Sequence, residues 1–191
     1  MKVVDFAHRN GKKVYLTLNT LIKEQELPEV VELLDTIRAI GPDALLLQDL
    51  GTLRVVREYF PDLELHASTQ MAVHNLEGVL QLKALGFKRV VLARELSLTE
   101  IALIKERSGV EIEVFVHGAL CYSVSGLCLF SAMENNRSGN RGRCAYCCRL
   151  SYSDASGARS LPFSMRDLRL DDMLKALRDA GVDSAKIEGR M

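Results

Sequence analysis

The chain has no tryptophan, no surplus of either charge, no apolar run long enough to cross a bilayer and no low-complexity tract. Each absence narrows the field. Lys plus Arg and Asp plus Glu both number 25, so the whole chain exerts no electrostatic pull on nucleic acid, and any RNA contact has to be local. No glycine fingerprint separates a strand pattern from its helix, which counts against dinucleotide binding. Neither a zincin-type histidine pair nor a nucleophile elbow is present. The opening MKVVDFAHRNGKK is interrupted by Asp5, His8 and Arg9 before an apolar core of signal-peptide length, so the expected setting is cytoplasmic, with no membrane contact. The length of 191 residues, 48% of them apolar, suits one sizeable domain and is short for two.

What the sequence does have is a concentration of thiols. All five cysteines, Cys121, Cys128, Cys144, Cys147 and Cys148, fall between Glu113 and Tyr152. A lone cysteine is usually a small buried hydrophobe, but thiolates are soft ligands, and several grouped in a chain without a secretory signal read first as a metal site. Disulfide pairing would leave one thiol over. Structural zinc usually draws its ligands as pairs two to four residues apart. Here Cys121 and Cys128 are more widely spaced and only Cys144 to Cys148 sit close, which leans toward an iron-sulfur centre with zinc as the alternative. Arg137, Arg141, Arg143 and Arg149 are interleaved with these cysteines and with glycines. On their own they read as a solvated basic loop, but beside thiolates they would offset the negative charge of a cluster.

The rest alternates. Short apolar runs at 13–18, 44–47, 63–67, 89–93, 112–116 and 183–187 read as strands, and the stretches 24–40, 52–60, 75–85, 98–107 and 167–180 read as helices. Continuous apolar strands alternating with amphipathic helices imply an α/β fold with parallel strands under helices. The expectation is a TIM-like (β/α) barrel, incomplete at about six of eight strands, as a single partial domain over 1–191 with a Cys-rich insert over 117–152. An open doubly wound sheet also fits the pattern. With strands missing, the chain is expected to be an internal piece of a longer protein. The small residues of 153–160, SDASGARS, are the one linker-like stretch.

Polar residues gather just after the strands: Asn19, Gln48 with Asp49, Thr69 with Gln70, Arg94 with Glu95, His117, and Glu188 with Arg190. In a barrel these all reach the face where catalytic loops sit, and the cysteine segment leaves from that same face, after Val116. Asp49, Glu95 and His117 are the candidates for proton transfer; Gln70, Arg94, Arg141, Arg143 and Glu188 are the candidates for substrate binding. Each also has an ordinary structural use. Asp49 or Thr69 can cap a helix, Arg94 and Glu95 can pair with each other, and His117 can be a satisfied loop histidine.

The segment HGALC, then SGLC, NRGRC and a closing CR, together with KKVYLTLNT, ALLLQDLG, LHASTQMAVHN, VVLARELS and DAGVDSAKIEGRM, resembles peptidase family U thirty-two, the collagenase-like peptidases. The likeness implies a barrel with further strand-helix units, and oxygen-independent hydroxylation of a transfer-RNA or ribosomal-RNA base or of the ubiquinone ring. It also implies prephenate as hydroxyl source and a 4Fe-4S cluster, while the older family names imply proteolysis. By motif the cluster ligands would be Cys121, Cys128, Cys144 and Cys148. The sequence departs from the family at Cys147, where proline is common, at Phe130, where an aliphatic residue is usual, and at Arg169, where many relatives place another cysteine after an Asp-Leu pair. The expected function is therefore iron-sulfur-dependent RNA-base hydroxylation, with RNA, a prephenate-like carboxylate and a possible protein partner or the missing remainder of the barrel as its partners. A collagenase-like peptidase and a structural zinc module that presents its arginines to RNA are the alternatives.

Overall fold

The structure, a computed structural model, describes residues 2–189. Helix α1 (Lys2–Arg9) precedes strand β1 (Tyr15–Leu18), and α2 (Leu27–Ile40), β2 (Ala44–Leu47), α3 (Leu50–Tyr59), β3 (Leu65–Ala67), α4 (Leu76–Ala84), β4 (Arg89–Val91), α5 (Leu98–Ser108) and β5 (Glu111–Gly118) follow. The helix boundaries have local causes. Pro28 lies in the first turn of α2, and Gly41 closes that helix in the left-handed conformation. The side chains of Asn75 and Ser97 cap α4 and α5, and at α5 Glu100 completes a reciprocal capping box.

Strands β1 to β5 pair in sequence order, every neighbour parallel. The last strand, β9 (Ser184–Ile187), joins β5, also parallel. Side-chain alternation gives this sheet two unlike faces. Leu45, Leu47, Leu65, Val90, Leu92, Ile112 and Val114 pack with Leu34, Ile37, Val56, Val79, Leu82 and Ile104 of the helices into one buried core. The other face is polar. Arg89 donates to Glu111 and Glu113, Lys186 donates to Glu113 at 3.0 Å, and the Arg89 guanidinium lies 5.2 Å from the Tyr15 ring, which meets His66 edge-on.

Tyr15 and Arg89 stand three strands apart, which in a flat sheet is roughly 14 Å between backbones. Their contact shows two long side chains converging across that face. Burial pushes the Glu113 carboxyl up, but Lys186, Ser184 and Arg89 outweigh it and hold the group below the ordinary carboxylate range.

After Gly118 the chain leaves the sheet. Gly118 has φ 113°, and a Cβ there would lie 2.3 Å from the Glu188 carbonyl, so the crossing of these two backbones requires glycine. The departing segment holds α6 (Phe130–Asn135) and a hairpin of β6 (Tyr152–Ser153) with β7 (Arg159–Ser160). It is packed on an aromatic knot in which Phe163 meets Tyr122, Phe130 and Tyr152 at centroid distances of 5.4 to 5.6 Å. Arg149 ties its ends together through the carbonyl of Leu120, the Ser164 hydroxyl and Asp167.

Two expectations fail here. The stretch 153–160 is a hairpin rather than a linker, because the Asp154 carboxylate accepts the amides of Ser156 and Ala158 and closes the turn. The stretch 167–180 is helical only in its second half. Residues Leu168–Arg169 form β8, antiparallel to the end of β5, with the Leu170 amide bound to the Val116 carbonyl, and α7 (Leu174–Asp179) follows after one 3-10 turn. Tertiary pairing overrides the helical periodicity there.

Candidate functional site

A pocket of about 330 Å³ opens where the parallel strands end at their carboxyl side. The strand ends supply Asn19, Thr69, Gln70, Arg94, Lys186 and Glu188 to one wall, and all five cysteines line the other. The two features singled out in the sequence, thiols and strand-end polar residues, therefore share one cavity.

Arg94 is the best defined of the polar group. Its guanidinium lies 4.0 Å over the Phe115 ring and donates to Glu188 at 3.0 Å. Its Nε is buried with no partner, and so is Oε1 of Gln70 in the same lining. Buried polar atoms are almost always satisfied, so a donor and an acceptor left open in one pocket mark places for ligand atoms.

The thiols are supported from their own loop. Cys128 donates its amide to the Asn140 side-chain carbonyl, and its sulfur receives the Phe130 amide. The Cys144 sulfur receives the Tyr146 amide at 3.4 Å and faces the Ser131 hydroxyl at 3.8 Å, and that hydroxyl in turn accepts the Ala145 amide. Cys121 and Ser123 lie 3.0 Å apart, sulfur to oxygen. Burial pushes the Cys148 thiol up, and neighbouring Cys121, Cys144 and Cys128 push it the same way, against the pull of Arg149. Cys147 is different: it is buried, and its sulfur is occupied by Asn135 Nδ2 at 3.0 Å.

The donor set fits an iron-sulfur centre in kind: soft ligands, amides aimed at sulfur, and Arg149 close by. Among the described residues, no three Cys, His, Asp or Glu side chains are gathered tightly enough for one ion.

Of the other expected residues, Asp49, Glu95, His117, Arg141 and Arg143 lie outside this lining. Asp49 caps α3, accepting the Thr52 amide at 2.7 Å, and also takes the Ile22 amide. Thr69 is not a cap; its hydroxyl donates to the Leu92 carbonyl, and Ser68 caps the turn instead. His117 is exposed and outside the pocket lining. Arg141 and Arg143 line a second, open cleft. Arg190 lies outside the described residues.

Arg94 and Glu95 do not pair with each other. Glu95 accepts the Ser125 amide at 2.8 Å and hydroxyl at 2.9 Å, and His74 Nε2 lies 3.2 Å away. Burial pushes the Glu95 carboxyl up, but the Ser125 bonds and His74 prevail and leave it below the ordinary range. Ser125 is buried at φ 45°, and its hydroxyl donates to Glu95, not to His74. The trio is a tie that pins the cysteine segment to the sheet rather than a hydrolytic triad. His74, Ser125 and Lys186 escaped the sequence reading. Lys186 alone had a usable signal, since it lies in the final strand two residues before Glu188 at that strand's polar end.

The chain is similar along its length to known proteins. Residues 1–191 match the sequence profile of Peptidase family U32. The chain is 43% identical over 196 residues to the 23S rRNA 5-hydroxycytidine C2501 synthase of Escherichia coli (strain K12), spanning 99% of this chain and 29% of that protein. It is 36% identical to tRNA hydroxylation protein P1 of Bacillus subtilis (strain 168), covering 98% of this chain and 47% of the relative, and 33% identical to a collagenase of Porphyromonas gingivalis, covering 99% and 50%. The chain thus spans half or less of these relatives. The solved structure of the U32 peptidase Mk0906 superposes with a TM-score of 0.65 at 16% identity, covering all of this chain and 74% of that one, which speaks to fold alone. Matched along its whole length, with the mixed α/β architecture of a solved U32 structure, the chain belongs to peptidase family U32.

Proposed function

We propose that this chain is the catalytic part of an iron-sulfur enzyme that hydroxylates an RNA base without oxygen, taking the hydroxyl from a small carboxylate of the prephenate type. The observation that carries the reading is the shared pocket, with thiols on one wall and the open donor of Arg94 and open acceptor of Gln70 on the other. Cys121, Cys128, Cys144 and Cys148 would hold the cluster, which when bound would supply electron transfer or a Lewis-acidic iron. Arg94, stacked on Phe115 and steadied by Glu188, presents a flat cation suited to a carboxylate, and Lys186 adds a second positive charge. Relatives named for rRNA and tRNA hydroxylation favour an RNA substrate, and with it a cytoplasmic location.

The sheet is proposed to be an arc of a closed barrel. Strictly sequential strand order supports this, since a doubly wound sheet reverses its order partway, and the Tyr15 to Arg89 convergence supports a concave inner face.

Purification without oxygen, with iron, sulfide and zinc quantified for the native chain and for Cys144→Ala, tests the reading. Iron and sulfide together, lost in the variant, are expected; zinc alone would overturn it.

A further inference from the structure

The second cleft, about 560 Å³ and open, is lined by Lys23, Asn136, Ser138, Arg141 and Arg143. Its charge is uneven in a useful way. Arg141 is already ion-paired with Glu26, whose other carboxylate oxygen accepts the Lys23 amide at 2.7 Å, and this contact joins the start of α2 to the loop after α6. The Lys23 and Arg143 side chains are exposed and form no ion pair among the described residues. The cleft therefore holds three cations against one carboxylate, with an amide and a hydroxyl as neutral donors. That chemistry suits phosphodiester oxygens rather than a peptide or a hydrocarbon.

The loop 138–143 is also the partition between the two hollows. Gly139 faces the thiol pocket, and Asn140 accepts the Cys128 amide at 3.0 Å, while Ser138, Arg141 and Arg143 face the cleft. The partition is held in shape by its own backbone, the amides of Arg141 and Arg143 both reaching the Ser138 carbonyl at 3.2 and 3.0 Å. A strand lying in the cleft would thus have its neighbouring nucleotide at the rim of the pocket.

We infer that this cleft is the backbone-binding track of the RNA substrate, with Lys23 and Arg143 contacting phosphates and Arg141 serving as the strut that holds them in place. The inference rests on the RNA reading above and adds the residues that grip the strand. It assigns Lys23 a role that its position before α2 does not suggest, and it takes Arg141 out of direct contact.

Fluorescence anisotropy of the purified protein with a single-stranded RNA of about 12 nucleotides, over roughly 50 to 200 mM salt, tests it. Lys23→Ala and Arg143→Ala are each expected to weaken binding about three- to tenfold and to flatten the slope of log affinity against log salt by about 0.7, irrespective of base sequence. Arg178→Ala, an exposed substitution on α7, is expected to leave both unchanged.

RNA binding by the native protein with unaltered affinity and slope in Lys23→Ala, Arg143→Ala and their double variant would overturn the track while sparing the RNA reading. No RNA binding by the native protein would overturn both. Displacement of the RNA by inorganic phosphate beyond the effect of matched ionic strength would mark a small-anion site and overturn the track.

Discussion

The Arg94 guanidinium lies 4.0 Å above the ring of Phe115 and extends to Glu188, 94 residues further along the chain, at 3.0 Å. Strand-end residues of β4 and β9 thereby share one charged contact at the mouth of the pocket. Arg94→Lys keeps the charge but loses the flat stacking surface and the open Nε donor. Affinity for a small carboxylate of the prephenate type is expected to fall about 10- to 100-fold, read by calorimetry, with little change in melting temperature.

The five thiols are not equivalent. Cys147 is buried with its sulfur bonded by Asn135, and the Tyr152 hydroxyl donates to its carbonyl. Cys147→Ser is expected to keep its iron and visible absorption under anaerobic purification, whereas Cys148→Ser is expected to lose most of both. Equal loss in the two variants would reverse this assignment.

Glu95 holds the segment that bears the first cysteines through two bonds to Ser125. Glu95→Gln is expected to cost only about 1 kcal/mol of global stability, since the carboxylate is 40% exposed and screened by water. Locally the effect is larger: amide hydrogen exchange should quicken across residues 119–130 and leave β2 and β3 unchanged.

On the polar face of the sheet, Glu113 sits between Lys186 and Arg89 with its side chain 8% exposed. Glu113→Gln would leave two cations facing an uncharged group. The expected loss is ~3 kcal/mol, or about 6–12 °C in a thermal melt.

His66 is 1% exposed; burial drives its pKa down from 6.5, against the opposing pull of Glu64. With the folded value below the unfolded one, the unfolded chain takes up the proton first, so stability falls as pH drops below 6.5. Thermal melts between about pH 5 and 7 should show this slope, and His66→Gln should flatten it.

The sequence made the parallel strands legible because each is a short apolar run followed by polar residues, and β2, with all of ALLL buried, is the clearest case. Gln70, Arg94 and Glu188 follow the same rule, and all three line the pocket. Asp49 followed it too but turned out to be a helix cap, because strand-end position says nothing of which backbone amides lie within reach.

Residues 153–170 were the hardest to read. There the side chains of Asp154 and the edge of β5 decide the structure, and neither leaves a periodicity. His74 and Ser125 were hidden for a related reason, since their partner Glu95 is distant in sequence.

Asn140 takes the Gln48 side-chain amide on its backbone carbonyl and the Cys128 amide on its side chain. One residue therefore fastens the rim of the sheet, the cysteine segment and the wall shared by both hollows. Lengthening or shortening the loop would disturb all three at once, so the cleft and the surroundings of the thiols cannot drift independently under mutation. If the proposed RNA track holds, a change of target is more easily reached by exchanging side chains on this wall than by remodelling its length.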